Sequence, residues 1–130
     1  MSVSTKRDLL IVTCAVSAGV HAALVPEHLD ESAAAGGGFI AATILLAVLA
    51  VTLTVRPPTR LAAVAAALTF AGLLVAYVLA VTSGVPVLMP DPEPVDGLAL
   101  ATKAVELIGL AAALSLLEPL PFPRPEGASA

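Results

Sequence analysis

Two histidines and a glutamate occur in this sequence at spacings that are compatible with metal binding. His28 and Glu31 are three residues apart, so on a helical turn both side chains point the same way and could chelate a divalent cation. His21 lies seven residues before His28, on the same helical face but ~10 Å away along a straight helix. Such a gap is too long for both rings to share one ion bonded at ~2.1 Å, unless a kink at Pro26 shortens it.

Lys103 and Glu106 are a second set of ionisable residues, and they lie inside an otherwise apolar stretch. A charge at the centre of a bilayer costs ~2.5–3.5 kcal/mol on insertion scales, so we expect the helix to bury both side chains against protein. They could neutralise each other as an i, i+3 pair, or Glu106 could be protonated.

Four long apolar segments must position these residues. Hydrophobic residues make up 58% of the 130-residue chain and charged residues only 12%, against roughly a quarter charged in soluble domains. Each segment is long enough to cross a hydrocarbon core of ~30 Å as an α-helix. We predict an all-α, integral membrane four-helix bundle forming one domain over residues 1–118, with a proline-rich cytoplasmic tail over 119–130. The predicted spans are about 9–26, 36–55, 61–82 and 97–117.

Basic residues indicate the orientation. Lys6 and Arg7 precede the first span, Arg56 and Arg60 flank the connection between the second and third, and Arg124 follows the fourth. The other two connections, about 26–35 and 83–96, contain acidic residues and no Lys or Arg. By the positive-inside rule, the N-terminus and the C-terminus are both cytoplasmic.

This topology brings the two ionisable groups to similar depths. Counted from the predicted outer boundaries at 1.5 Å per residue, His21 lies ~6 Å deep, Lys103 ~9 Å and Glu106 ~14 Å. We therefore expect the first and fourth spans to lie side by side, with His21 near Glu106. His28 and Glu31 would continue a ladder of groups toward the surface, an arrangement that suits ion or proton relay as well as metal binding.

Small residues at four-residue spacing predict where the spans pack, because they let helix backbones approach closely. The predicted seams are Ala15, Gly19 and Ala23; Ala63, Ala67 and Ala71; and Gly109 and Ala113. We interpret Gly36-Gly37-Gly38 as slack in the connection that precedes the second span.

Several function classes are disfavoured. The net charge is −4 with no Lys/Arg run, which argues against a nucleic-acid partner. Cys14 is the only cysteine, so an intrachain disulfide is impossible. Hydrolase, zinc-protease and phosphate-loop motifs are absent from the sequence, and we predict no enzymatic activity.

A secretory signal peptide is the alternative interpretation of the first span. Lys6-Arg7 would be its basic region, and Val20-His21-Ala22 its small-residue cleavage site. Cleavage would remove His21 and leave three spans. N-terminal sequencing of the mature protein distinguishes the two.

The chain resembles a group of small actinobacterial four-span membrane proteins with no assigned function. The resemblance rests on Gly19-Val-His21-Ala-Ala-Leu-Val-Pro-Glu-His28-Leu-Asp-Glu31 with Gly38-Phe39, on Gly84-Val-Pro86 and Glu93-Pro-Val95, and on Glu106 in the fourth span. The chain departs from the group before Gly84, where an arginine is common and Val81-Thr82-Ser83 stands. The resemblance supports His21, His28, Glu31 and Glu106 as functional residues and implies no reaction.

Our leading hypothesis is a multi-pass plasma-membrane protein with a polar site on its extracytoplasmic side. There His21, His28, Glu31 and Glu106 bind a transition-metal ion, zinc or copper, or relay protons, and Lys103 tunes Glu106. The alternative is a structural or assembly subunit of a membrane complex, or a homo-oligomer, in which the Lys103–Glu106 pair docks a partner span. The lipid bilayer is a partner under either hypothesis.

Overall fold

A computed structural model describes residues 1–86 and 91–118 of the chain; the predicted tail, 119–130, lies outside these ranges. The described residues form four α-helices and no β-strand. The helices are α1 (Val3–Glu31), α2 (Ala33–Val55), α3 (Arg60–Thr82) and α4 (Gly97–Leu117). All four are long and apolar enough to cross a membrane, so the prediction of an all-α chain with four such helices is confirmed.

Each helix begins at a polar residue that caps it. The capping side chain accepts a hydrogen bond from the backbone N–H three residues later, an amide that has no partner within the helix. The four caps are Ser2, Ser32, Thr59 and Asp96.

The first connection differs from the expectation of a loop over about 26–35. α1 runs through Pro26 to Glu31, and Ser32 alone, in an extended conformation, separates it from α2. The acidic residues assigned to that loop lie on the last turns of α1, because a helix that leaves the apolar layer can continue with polar side chains. The interpretation of residues 36–38 as slack is also wrong, since all three are helical.

Gly36 has a packing role in this tight connection. A β-carbon at this position would collide with the side chain of Leu29 and approach its Cα to 2.9 Å. The missing side chain therefore lets the start of α2 lie directly against the end of α1.

The helices pack as a ring in which α1 contacts α2 and α4, and α3 contacts α4 and, least extensively, α2. At one end of the ring the Lys6 ammonium donates to the Ser115 carbonyl over 2.8 Å, so the start of α1 lies beside the end of α4 and these helices are antiparallel. We call the end that holds the Arg56–Thr59 turn the base. The opposite end, with Ser32 and the connection from α3 to α4, is the mouth.

The apolar core fills the base half. Its largest fully buried apolar side chains are Phe70, Leu10, Leu46 and Leu53. Alanines of α3 and α4 complete the cluster. A β-carbon on Gly109 would overlap the Phe70 ring and lie 2.9 Å from Thr13 Oγ1, so this glycine lets α4 pack directly against side chains of α1 and α3.

The predicted seams are correct on two helices and wrong on α1. Ala63, Ala67, Gly109 and Ala113 are buried, and Ala71 is half-buried. On α1 the small residues predicted to pack, Ala15, Gly19 and Ala23, are exposed. The buried face of α1 instead carries the polar side chains Thr13, Ser17 and His21, because these need protein partners that lipid cannot provide.

Candidate functional site

Glu106 is the centre of a buried polar group that joins α1 to α4. Its side chain has no exposed surface. One carboxylate oxygen, Oε2, accepts from the Lys103 ammonium at 2.6 Å. The other, Oε1, accepts from the Ser17 hydroxyl at 3.1 Å and lies 3.9 Å from His21 Nε2. We call Ser17, His21, Lys103 and Glu106 the inner cluster.

Helical spacing positions each member of the inner cluster. Ser17 and His21 are one turn apart on α1, and the His21 Nδ1 lies 2.8 Å from the Ser17 carbonyl oxygen. A carbonyl can only accept, so Nδ1 carries the proton and Nε2 is directed to α4. The i, i+3 spacing of Lys103 and Glu106 forms their ion pair along α4.

The expectation that His21 meets Glu106 is confirmed by this geometry. The sequence-based set omitted Ser17, although one signal was available. A serine four residues before His21 lies on the same helical face, so any group that the histidine reaches is also within reach of the serine.

A second group lies at the mouth. One ligand atom each from His28, Glu31 and Glu93 lies within 4.8 Å of the others, and His28 Nε2 is 3.7 Å from Glu93 Oε1. His28 is buried, Glu93 is half-buried and Glu31 is exposed. We call these three residues the outer cluster.

The outer cluster is held from two sides. His28 Nδ1 is 2.9 Å from the Leu24 carbonyl oxygen, which again makes Nδ1 a donor and directs Nε2 toward Glu93. The backbone N–H of Glu93 donates to the Ala80 carbonyl over 2.9 Å and so ties the α3–α4 connection to the end of α3.

Glu93 was not among the predicted site residues. It is one of several acids in its connection, and nothing in the local spacing distinguishes it from the others. Its contact with His28 depends on how the connection folds over the mouth, which is a tertiary property.

Phe39 of α2 separates the two clusters. Its ring stacks on His28, with centroids 3.6 Å apart and planes at 26°, and lies 5.4 Å from the His21 ring. The four predicted metal ligands are therefore divided: His21 and Glu106 belong to the inner cluster, and His28 and Glu31 to the outer one.

A cavity of about 430 Å³ connects the clusters within the mouth half. Its lining includes His21 and Lys103 of the inner cluster and all three residues of the outer cluster. Most of the remaining wall is apolar. Two sets of titratable groups thus face one space.

Comparison of the chain with protein-family models, curated proteins and solved structures finds no match. The resemblance to the actinobacterial group stays a prediction. Function is therefore inferred from the geometry of the two clusters.

Proposed function

We propose that this protein is a multi-pass plasma-membrane protein that binds a divalent transition-metal ion, zinc or copper, at the extracytoplasmic mouth of its bundle. His28, Glu31 and Glu93 are the ligands. The observation that carries the proposal is that their three ligand atoms lie within 4.8 Å of one another. Imidazole nitrogen and carboxylate oxygen are both zinc ligands, and three protein ligands leave a further position open to water, as in catalytic zinc sites.

The surroundings of His28 support this role. A metal-bound histidine usually donates its second ring nitrogen to a carbonyl or carboxylate, which orients the ring and raises its basicity. The Leu24 carbonyl accepts that hydrogen bond here. The stacked Phe39 ring restricts the imidazole further.

The charge distribution supports an extracytoplasmic position for the mouth. Lys6, Arg7, Arg56 and Arg60 belong to the base, whereas the last turns of α1 and the α3–α4 connection at the mouth contain acids and no Lys or Arg. By the positive-inside rule the base then faces the cytoplasm, together with both termini. The acidic mouth attracts cations from the opposite side.

Metal binding is tested by titrating Zn²⁺ and Cu²⁺ into purified, metal-depleted protein in detergent. We expect one ion per chain for the wild type and at least a tenfold weaker affinity for His28→Ala and for Glu93→Gln, because each removes a ligand. Asp30→Asn is the matched control, since Asp30 is an exposed acid at the same helix end outside the cluster. Equal affinity in wild type, His28→Ala and Glu93→Gln would contradict the proposal.

Proton relay through the inner cluster is the second candidate function. His21 Nε2 lies 3.9 Å from a carboxylate oxygen of Glu106, and these two groups would exchange the proton. Proton uptake by vesicles containing the wild type, compared with His21→Phe, tests it. Equal uptake rates would exclude the relay.

The alternative of an assembly subunit is less well supported. Under that alternative, the Lys103–Glu106 pair would have to face a partner span. Glu106 is fully buried inside the bundle, however, and the Lys103 side chain is only 15% exposed. A partner that copurifies in stoichiometric amount with metal-free protein would favour it.

A further inference from the structure

The cavity in the mouth half has more apolar wall than an ion site requires. Its volume of about 430 Å³ falls in the range of ~300–1,000 Å³ that is usual for small-molecule pockets. Apart from the cluster residues, the wall consists chiefly of small and aliphatic side chains of α2 and α3. These include Ala35, Ala42, Leu73, Ala76, Leu79 and Ala80.

The cavity reaches the surface of the chain between α2 and α3. These two helices make the least extensive contact of any neighbouring pair. Three of the residues that line the cavity are also exposed on the surface of the chain: Gly38 on α2, and Ala76 and Leu79 on α3. In a chain whose helices cross a membrane, this side faces lipid, so a molecule dissolved in the bilayer has a direct entrance.

Hydrogen-bond donors lie at the inner end of the cavity. The Tyr77 hydroxyl is buried and has no hydrogen-bond partner within residues 1–86 and 91–118. The Lys103 Nζ lies 5.3 Å from the centroid of the Tyr77 ring and donates to Glu106, which leaves further N–H groups of this ammonium for a ligand. An unpaired buried hydroxyl is unfavourable, so an acceptor carried by a ligand would be stabilised here.

The charge balance selects the kind of acceptor. Lys103 is already neutralised by Glu106 at 2.6 Å. An anionic head group would add an uncompensated charge to a region of low dielectric, whereas a neutral carbonyl would not. The rings of Phe39 and Tyr77 both line the cavity and are suited to contact a flat conjugated head group.

We propose that the mouth cavity binds a quinone from the bilayer. A carbonyl oxygen of the quinone ring accepts from Tyr77 and Lys103, and the hydrocarbon tail leaves between α2 and α3. This site is independent of the metal proposal, because it uses the donors of the inner end and the apolar wall rather than the outer cluster.

The test is photolabelling of metal-depleted protein in lipid nanodiscs with an azido-benzoquinone that carries a decyl tail, with unlabelled decyl-quinone as competitor. We expect labelled peptides from the mouth halves of α2 and α3. Ala42→Phe, which fills the cavity, should weaken competition at least ~10-fold, and Tyr77→Phe about fivefold through the loss of one hydrogen bond. Ala47→Phe is the matched control, because Ala47 is exposed on α2 outside the cavity and should leave binding unchanged.

Three outcomes would overturn the proposal. Unchanged competition in Ala42→Phe would show that the quinone binds elsewhere. Equal competition by decylbenzene, which lacks carbonyl groups, would exclude recognition of the head group. Tighter competition by decanoate would replace the neutral ligand with an anionic one. Because all samples are metal-depleted, none of these results bears on metal binding at the outer cluster.

Discussion

The base and mouth halves of the bundle are built from the same four helices but are packed in different ways. In the base, Leu46, Leu53 and Phe70 are fully buried in a continuous apolar cluster. In the mouth, the same helices surround a cavity, and α1 is joined to α4 by contacts of Ser17 and His21 with Glu106.

The connections account for part of this difference. At the base, residues 56–59 join α2 to α3 within four residues, which holds their ends together. At the mouth α3 and α4 are joined by the longer stretch 83–96, and α2 and α3 have no connection to each other. The base is therefore packed with apolar side chains, while the mouth has room for polar groups and a cavity.

The largest expected effect on stability is at Glu106, whose charged side chain is fully buried in the mouth half. Glu106→Ala leaves the Lys103 ammonium without its carboxylate, and breaking a buried pair in this way costs ~3–5 kcal/mol. We expect a loss of about that size in the free energy of unfolding, measured by circular dichroism during denaturation in mixed detergent micelles.

Two further variants test this assignment. The double variant Lys103→Met/Glu106→Leu should recover most of the loss, because no unpaired charge remains. Asp8→Ala removes the partner of Arg7 in an exposed pair and should change stability by less than ~1 kcal/mol. If Glu106→Ala were as mild as Asp8→Ala, polar contacts would not hold the mouth half together.

A variant that disturbs packing in the base should give the next largest loss of stability. Gly109→Ala places a methyl group against Phe70 and Thr13, and overpacking of this kind costs ~1–3 kcal/mol. Gly19→Ala is the control on α1, where an added β-carbon meets no atom within 4 Å. It should be neutral or stabilising by up to ~1 kcal/mol, since alanine favours the helix. Equal denaturation midpoints for the two variants would contradict the close contact at Gly109.

The smallest expected effect on stability is at the mouth, where a change in packing should also weaken zinc binding. Gly36→Ala forces α2 away from Leu29 and so displaces Phe39, which stacks on His28. We expect a loss of ~1 kcal/mol in stability and a severalfold weaker zinc affinity, measured in the same titration. Gly37→Ala, where nothing lies within 4 Å of an added β-carbon, should leave the zinc affinity unchanged and be neutral or stabilising by up to ~1 kcal/mol. A zinc affinity unchanged in Gly36→Ala would separate the ring stack from metal binding.

Local spacing was sufficient to predict the helices and the contacts within each of them. The apolar segments are long and uninterrupted, and Pro57 and Pro58 interrupt the helical stretch between α2 and α3, so four helices follow from composition and backbone chemistry. The i, i+3 pairs Lys103–Glu106 and His28–Glu31 depend only on helical geometry. The end of α1 was the exception, because its acidic last turns have the composition of a loop.

Contacts between helices were decided by the tertiary structure. Lipid and protein interior both accept apolar side chains, so the apolar residues of a span do not indicate how the helix is rotated about its axis. The seam on α1 was misplaced because small residues occur on more than one face of this helix, whereas the polar residues Thr13, Ser17 and His21 share the buried face. The approach of Glu93 to His28, and of Ser17 to Glu106, joins residues far apart in the chain. Those contacts exist only because the bundle closes with these particular helix rotations and the α3–α4 connection lies over the mouth.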